Sequence, residues 1–392
     1  MITPPPSIGT VVLQPTPFCN IACDYCYLPH RESRAVMSPE TIAASFNRVF
    51  DSGWAAPLLN VIWHAGEPLV LKPQYYRDAF GAAENLRPRD IAVRHAVQTN
   101  GMLITQEWCD LFREYAVGVG VSIDGPRDLH DAHRKTRAGR GTFNATLAGI
   151  RLLRTHEVEF HVITVLTRES LDDPDTLLDF YDAEGIDQIC FNVEESEGDH
   201  QSSLFAERNL RKRFTKFLDH FWRAARSSGR FRFIREIDAL LPRILRPEGA
   251  EIGNEQVAPF GMLTIGCNGD VSSFSPELLG LKSAKHDDFV IGNVHTNTLA
   301  EMQASAAMRC MQEEIAAGVE ECRAGCGYFS VCGGGAPVNK LTENGSFASS
   351  RTRFCELTQM VPTDIILDAL DRIDPACQSA ETFAALTREG AL

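Results

Sequence analysis

Apolar runs that end in polar or glycine-containing turns recur at about residues 10–14, 60–64, 92–98, 118–123, 160–166 and 187–193, and this recurrence constrains the fold more than any other feature. Six strands are expected. Helical patterns lie between them: Ser38 and Pro39 read as a cap and first helical residue before Ile42, Phe46 and Val49, with Gly53 as the stop. Thr105 and Thr142 are expected to cap later helices. Such alternation predicts a parallel α/β sheet or barrel. The unusual polar residues fall just after the strands: a cysteine group, then HAGEP, QTNG, SIDGP, Thr167 and Arg168, and Asn192 to Glu195. In parallel α/β barrels those carboxyl ends share one face, which holds the active site.

The chain of 392 residues is long enough for two domains, or for one barrel carrying an extension. Its 38 basic and 52 acidic residues leave a net charge of −14, which disfavours nucleic acid and anionic membrane surfaces as partners. The start, MITPPPSIGTVVLQPTPFC, has no basic region followed by an apolar run, and no stretch approaches a membrane span, so a cytoplasmic location is expected. In that compartment the 12 cysteines are better read as metal ligands or reactive thiols than as disulfides.

Beyond residue 255 the regular alternation gives way to short runs with NG and GG turns. Leu263 and Ile265 before Asn268-Gly269, with Val271 and Phe274 after, read as a β-hairpin. The expected organisation is a barrel at 1–205, a basic helical bridge at 206–255 and a smaller cysteine-bearing unit at 256–392 that includes a C-terminal helix. The segment 207–235 carries ten basic residues against Glu207 and Asp219. It reads either as a solvated helical face or as a docking surface for an acidic peptide.

The strongest chemical signal is CNIACDYC, with Cys19, Cys23 and Cys26 on one short loop. Three thiolates can grip an iron cluster and leave one iron open to an external ligand, as a catalytic zinc keeps one open position. Zinc with a distant fourth ligand is the alternative. A second group, Cys322-x3-Cys326-x5-Cys332 with Cys355 beyond it, supplies four thiolates, enough to close a cluster or to hold zinc. Cys109, Cys190 and Cys377 read as core or surface thiols.

The CxxxCxxC loop, Tyr25 before its last cysteine and Gly66-Glu67-Pro68 after the second strand resemble the radical S-adenosylmethionine enzymes. The resemblance implies a partial (β/α)6 barrel of the TIM type and a 4Fe-4S cluster whose open iron chelates S-adenosylmethionine. It implies reductive cleavage to a 5′-deoxyadenosyl radical, with a reductant such as flavodoxin or ferredoxin. Carried over by position, Tyr25 is expected near the adenine, and Gly66 and Glu67 at the methionine ammonium. Gln98 and Asn100 in QTNG, Ser122 and Asp124 in SIDGP, and Val193 after the sixth strand are the other expected cofactor contacts. Arg134, in HDAHR with His130 and His133, is expected to pair with the methionine carboxylate. His64 reads either as a hydrogen-bonded core residue or as a ligand or base.

The run CRAGCGYFSVCGGGAPVNKLTENG, with Cys355, resembles the SPASM extension of radical S-adenosylmethionine maturases, an α+β unit that houses auxiliary 4Fe-4S clusters. Seven cysteines usually serve two such clusters, but Ala336 stands where a further one is expected, so one auxiliary cluster is predicted. Cys267 and Cys310 are the remaining candidates for a second. The phrases LQPTPFCN, WHAGEPL, DVSSFSPELLG and YFSVCGGGAPVNK are most similar to the cyclophane-forming peptide maturases. That implies a ribosomally synthesised precursor peptide as substrate and a bond from a β-carbon to an aromatic ring. Asp270 and Glu277 are the candidate bases for the ring proton. The rival readings are a sulfatase-maturing side-chain oxidase, a thioether-forming or epimerising peptide enzyme, and a non-catalytic electron-transfer or metal-binding protein. Only 18 residues precede Cys19, so leader recognition is expected elsewhere, with 207–235 as the candidate.

Overall fold

The computed structural model describes residues 6–196, 200–247 and 253–372. All six expected strands are present: β1 (Ile8–Leu13), β2 (Ala55–Trp63), β3 (Ala92–Thr99), β4 (Gly118–Ser122), β5 (Phe160–Leu166) and β6 (Gln188–Val193). A two-residue β7 (Phe233–Ile234) follows. They pair in parallel and in chain order, β1 to β7. A doubly wound sheet reverses its strand order at a switch point; an unreversed order is that of a singly wound barrel segment. With β7 at one edge and Gly292–Asn293 at the other the sheet stays open, so the barrel is partial.

The crossovers are helical: α1 (Pro39–Asp51), α2 (Pro73–Leu86), α3 (Gln106–Glu114), α4 (Arg127–His133), α5 (Phe143–Thr155), α6 (Pro174–Glu184) and α7 (Leu210–Ser228). Ser38 caps α1 as expected, accepting from the Thr41 N–H at 3.2 Å, and Gly53 takes the left-handed conformation at φ 68°. Thr105 and Thr142 occupy N-cap positions but make no capping bond. The Thr142 hydroxyl instead donates to the Arg134 carbonyl at 2.8 Å and meets His130 Nε2 at 2.9 Å. Apolar faces of these helices fill the core, with Trp63, Tyr76 and Phe80 on one side and Phe191, Phe217 and Phe221 on the other. Each such aromatic contributes roughly 1.5–3 kcal/mol by leaving water.

The expected hairpin forms as β8 (Met262–Ile265) and β9 (Asp270–Ser273), with Gly269 at φ 88° in its turn. Its placement differs from the sequence reading, which put it in the C-terminal unit: β8 pairs in parallel with β1, Thr10 opposite Met262, and β10 (Gly292–Asn293) follows β9. The hairpin therefore extends the barrel sheet beside the first cysteine loop. The remainder of the C-terminal unit is mainly helical, and the Asn344-Gly345 turn ends the helix Pro337–Asn344. No described helix is long and apolar enough to cross a membrane.

Candidate active site and auxiliary cysteine site

The carboxyl ends of the strands converge on one cavity. Its lining includes Cys19, Cys23, Tyr25, Cys26, His64, Gly66, Glu67, Gln98, Asn100, Ser122, Arg134 and Val193. Nearly every sequence-predicted cofactor residue is thus brought together; Asp124 sits directly behind Tyr25 and Arg134.

The cysteine loop is held from outside by backbone bonds. Ala22 N–H donates to Lys135 O at 2.7 Å, Cys19 N–H to Arg31 O at 3.1 Å, and Arg137 Nε to Cys19 O at 3.1 Å. Burial pushes the Cys19 thiol up to about 11 and the Cys23 thiol up to about 12, and each rises further through the neighbouring Cys26 thiol. Two buried thiols that resist ionisation, with a third beside them, fit a site completed by a cation that stabilises thiolates.

Gly66 has φ 57°, and a Cβ there would lie 2.5 Å from the carbonyl oxygens of Thr16 and Phe18, so the turn accepts only glycine. The next residue, Glu67, is buried, and its carboxylate is spent on the chain itself. Oε1 accepts from Leu69 N–H at 2.9 Å and Thr99 Oγ1 at 2.6 Å, and Oε2 from Asn100 N–H at 2.7 Å. Burial pushes Glu67 up to about 7 although all three donors hold it down. Its carboxylate thus ties the second strand end to the third, at the wall of the first cavity. Asn100 carries the tie onward, donating to Asn20 Oδ1 at 2.7 Å in the cysteine loop. Gln98 donates to Ser122 Oγ at 3.1 Å.

Arg134 is anchored within the chain. Its guanidinium grips Asp124 in a two-point ion pair, Nε to Oδ2 at 2.9 Å and Nη2 to Oδ1 at 3.0 Å. Burial alone would raise Asp124, but the Arg134 charge and bonds outweigh it and hold the carboxyl below its ordinary range. The Tyr25 hydroxyl donates to the same carboxylate at 2.5 Å. Arg134 therefore fixes Asp124 and the Tyr25 ring at the wall of the first cavity. Burial drives His64 down to about 4, so it is neutral at physiological pH and a weak base.

The two candidate bases part company. Asp270 holds the hairpin turn, accepting from Asn268 Nδ2 at 2.6 Å and Asn293 Nδ2 at 2.9 Å. It lines a second cavity with Cys267, Gly280 and Leu28, and is not among the residues lining the first. Glu277 is pushed up by burial and accepts from Ser275 Oγ at 2.8 Å. Beside it stands a residue that sequence reasoning named only as part of a strand end. Glu195 lines the first cavity, accepts from Asn339 Nδ2 at 2.6 Å, and is pushed up to about 8 by burial and by the Glu277 carboxylate. The Asn339 contact spans 144 residues, and no local pattern signals it.

Cys322, Cys326, Cys332 and Cys355 line a separate cavity, together with Ala336 and Lys340. Glycines 333 to 335 adopt φ of 67°, 112° and 76°, which lets the chain fold back over these thiols. Cys322 and Cys355 are each raised by burial and then by the Cys326 and Cys332 charges, a set that again fits a cation-rich centre. Four tetrahedral sulfurs on one zinc at about 2.3 Å would stand about 3.8 Å apart. Among the described residues, the only group of His, Cys, Asp and Glu ligand atoms within 4.8 Å of one another is His286, Cys310 and Glu314. Among the described residues neither cysteine group brings three sulfurs within that distance, a wider spacing than one zinc ion sets and one that suits a cluster. Cys267 lies in the second cavity and Cys310 beside Glu314, so neither joins the four. Cys109 and Cys190 are buried core thiols, and Cys377 lies outside the described residues.

Most of the basic segment's charge is neutralised within the chain. Arg211 pairs with Asp364, Arg213 with Asp172, Arg223 with Asp219, Arg230 with Asp182, Arg232 with Glu159 and Arg235 with Glu236. A face so paired offers little free charge to an acidic peptide, which favours the structural reading of 207–235.

Residues 13–181 match the sequence profile of the radical SAM superfamily. The chain belongs to the radical SAM superfamily. A Synechocystis protein, sll1766, uncharacterised by its own description, is 37% identical over 92% of both chains. A cysteine-type anaerobic sulfatase-maturating enzyme of Clostridium novyi is 24% identical over 89% of this chain and 93% of its own. Among solved structures, anSMEcpe with bound S-adenosylmethionine superposes with a TM-score of 0.75 at 21% identity, covering 93% of this chain and 98% of that one. SuiB of Streptococcus suis, bound to its precursor peptide SuiA, gives 0.56 at 16% identity, covering 89% and 76%. The radical SAM fold and its cofactors, a 4Fe-4S cluster and S-adenosylmethionine, are thereby those of this chain.

Proposed function

We propose that this radical SAM enzyme matures a ribosomally synthesised precursor peptide, joining a β-carbon to an aromatic ring carbon in a cyclophane. The observation that carries the reading is the pairing of a three-thiol cavity with one four-thiol site, Ala336 standing where a further ligand would serve a second auxiliary cluster. The bound cluster and S-adenosylmethionine supply the radical that removes the β-hydrogen. Ring attack then leaves one proton and one electron to be taken up before aromaticity returns. Glu195, backed by Glu277, takes the proton at the wall of the first cavity. Cys322, Cys326, Cys332 and Cys355 would hold the auxiliary 4Fe-4S cluster, which would supply the acceptor for the electron. The second cavity shares Gly66 and Leu28 with the first and gives the peptide a way in. Asp270 is no longer the favoured base, because its oxygens hold the hairpin turn.

A second reading, side-chain oxidation of the sulfatase-maturing type, is favoured by the Clostridium novyi relative, which aligns over 89% of the chain. Anaerobic coexpression with a neighbouring precursor peptide separates the two by mass spectrometry. The cyclophane reading expects loss of two hydrogens, localised between an aromatic residue and a nearby β-carbon, and no change with Cys19, Cys23 and Cys26 all replaced by alanine. Conversion of a single Ser or Cys to formylglycine would establish the second reading, and an unchanged peptide would sink the cyclophane reading.

A further inference from the structure

One cluster of ligating side chains lies outside both cysteine cavities. Cys310 and Glu314 stand four residues apart on the helix Ala306–Gly325, and so on one face. His286 reaches them from the turn at 283–289, where Asp287, Asp288 and Phe289 all take positive φ, at 50°, 52° and 62°. Three successive non-glycine residues in that region are costly, and the turn they build delivers one imidazole to the helix. Phe289 stacks on the ring at 5.1 Å and Phe347 meets it edge-on at 5.3 Å, so the ring is fixed. Ser283 Oγ sits 2.9 Å from Nδ1, the partner that orients a ligating imidazole, and Nε2 faces the helix.

The spacing decides what such a group can hold. His286 Nε2 is 3.2 Å and Cys310 Sγ is 3.5 Å from the same Glu314 oxygen, Oε1. Tetrahedral zinc, with bonds of about 2.0 Å to nitrogen and oxygen and about 2.3 Å to sulfur, gives edges of about 3.3 Å and about 3.5 Å. Thiolate, imidazole and carboxylate together suit zinc better than the oxygen-seeking magnesium or calcium. Cys310 and Glu314 are half-buried, which leaves an approach and room for water as a fourth ligand.

We infer that His286, Cys310 and Glu314 form a zinc site that pins the turn at 283–289 to the helix carrying Cys322. Binding releases the Cys310 thiol proton and displaces Lys285, whose ammonium lies 2.6 Å from Glu314 Oε1 on an exposed stem. Asp288, in the same turn, lines the second cavity, so the ion braces that cavity against the auxiliary-site helix. The inference stands apart from the choice of reaction.

The test uses holoenzyme with both cysteine cavities filled with iron and sulfide, dialysed against zinc alone. Zinc per chain is read by plasma mass spectrometry and its ligands by zinc-edge X-ray absorption. One zinc per chain is expected, with a single sulfur among its ligands. Ser283→Ala, which removes only the orienting partner, should weaken binding about tenfold. Cys310→Ser should remove the sulfur ligand and most of the zinc, and Lys285→Ala, which removes the competitor, should tighten binding. Absence of zinc from the wild type, or zinc undiminished in Cys310→Ser, would overturn the inference. Should Cys310→Ser lose its iron and so its fold, Ser283→Ala and Lys285→Ala decide, because opposite changes in affinity are expected from two variants outside the ligand set.

Discussion

Two buried carboxylates near the first cavity do opposite things, and their partners say why. Glu67 receives three donors from its own chain, so its task is to hold the strand ends in register. In Glu67→Gln one oxygen becomes an NH2 group that must face an N–H or hydroxyl donor, leaving buried donors unpaired at about 1–3 kcal/mol. A lowered melting temperature together with weaker S-adenosylmethionine binding in equilibrium dialysis is expected; wild-type values for both would refute the clamp. Among the described residues Glu195 has the Asn339 amide as its one hydrogen-bond donor, and Glu277 opposes its ionisation. Raised to about 8, it carries its proton at pH 7 and becomes a base only as the pH passes that value. Cross-linked product should therefore form faster from pH 7 to pH 9, close to tenfold per unit below the midpoint and flat above it. Glu195→Gln should abolish that rise and slow product formation by about 10²-fold or more, while 5′-deoxyadenosine is still released. A pH profile unchanged in Glu195→Gln would place the base elsewhere.

At the scale of elements, the site depends on turns that place backbone against backbone. Gly66 lets the second strand end approach the cysteine loop, and Glu67 N–H then donates to Phe18 O at 2.8 Å. Gly66→Ala puts a Cβ 2.5 Å from two carbonyl oxygens at a positive φ, so the loop must move. Such strain costs about 1–3 kcal/mol, and the measurable outcome is loss of iron from the first site with the second retained. Full iron in both sites would contradict this. The strands, the first helix cap and both cysteine groups were legible in the sequence because each is local: an apolar run, a Ser-Pro start, a spacing. Contacts between distant segments were not. Arg134 stands ten residues from Asp124, but their pairing depends on the burial the barrel imposes. The β8–β9 hairpin was legible as a hairpin; its parallel pairing with β1, across about 250 residues, was not, since alternation along a strand does not name its neighbour.

The whole molecule joins two redox-competent cavities through one continuous architecture. The sheet carries the first at its strand ends, and the helix Ala306–Gly325 leads into the second through Cys322 and Cys326. The three-part division at 205 and 255 remains a proposal, with the hairpin crossing it to join the barrel sheet. The basic bridge reads as mortar: Arg211 on α7 reaches Glu356 and Asp364, on either side of the segment that follows Cys355. Within the auxiliary cavity, buried Lys340 donates to Gly318 O at 2.9 Å and to Cys322, placing a positive charge against the thiols. Net charge and hydrogen bonds to sulfur set a cluster's potential. Lys340→Met should therefore shift the auxiliary cluster to a lower midpoint potential, read by spectroscopic titration in a Cys19, Cys23, Cys26 triple-alanine background, where the first cluster is silent. A lower potential makes the cluster a poorer electron acceptor, so the proposed reaction should slow after hydrogen abstraction and release more 5′-deoxyadenosine per cross-link. Cys355→Ala takes the same logic to its limit: one ligand of four is lost, and cleavage of S-adenosylmethionine should continue while cross-linked product disappears. If Cys355→Ala still cross-linked at the wild-type rate, the electron would have to leave by a route that does not pass through the second cavity.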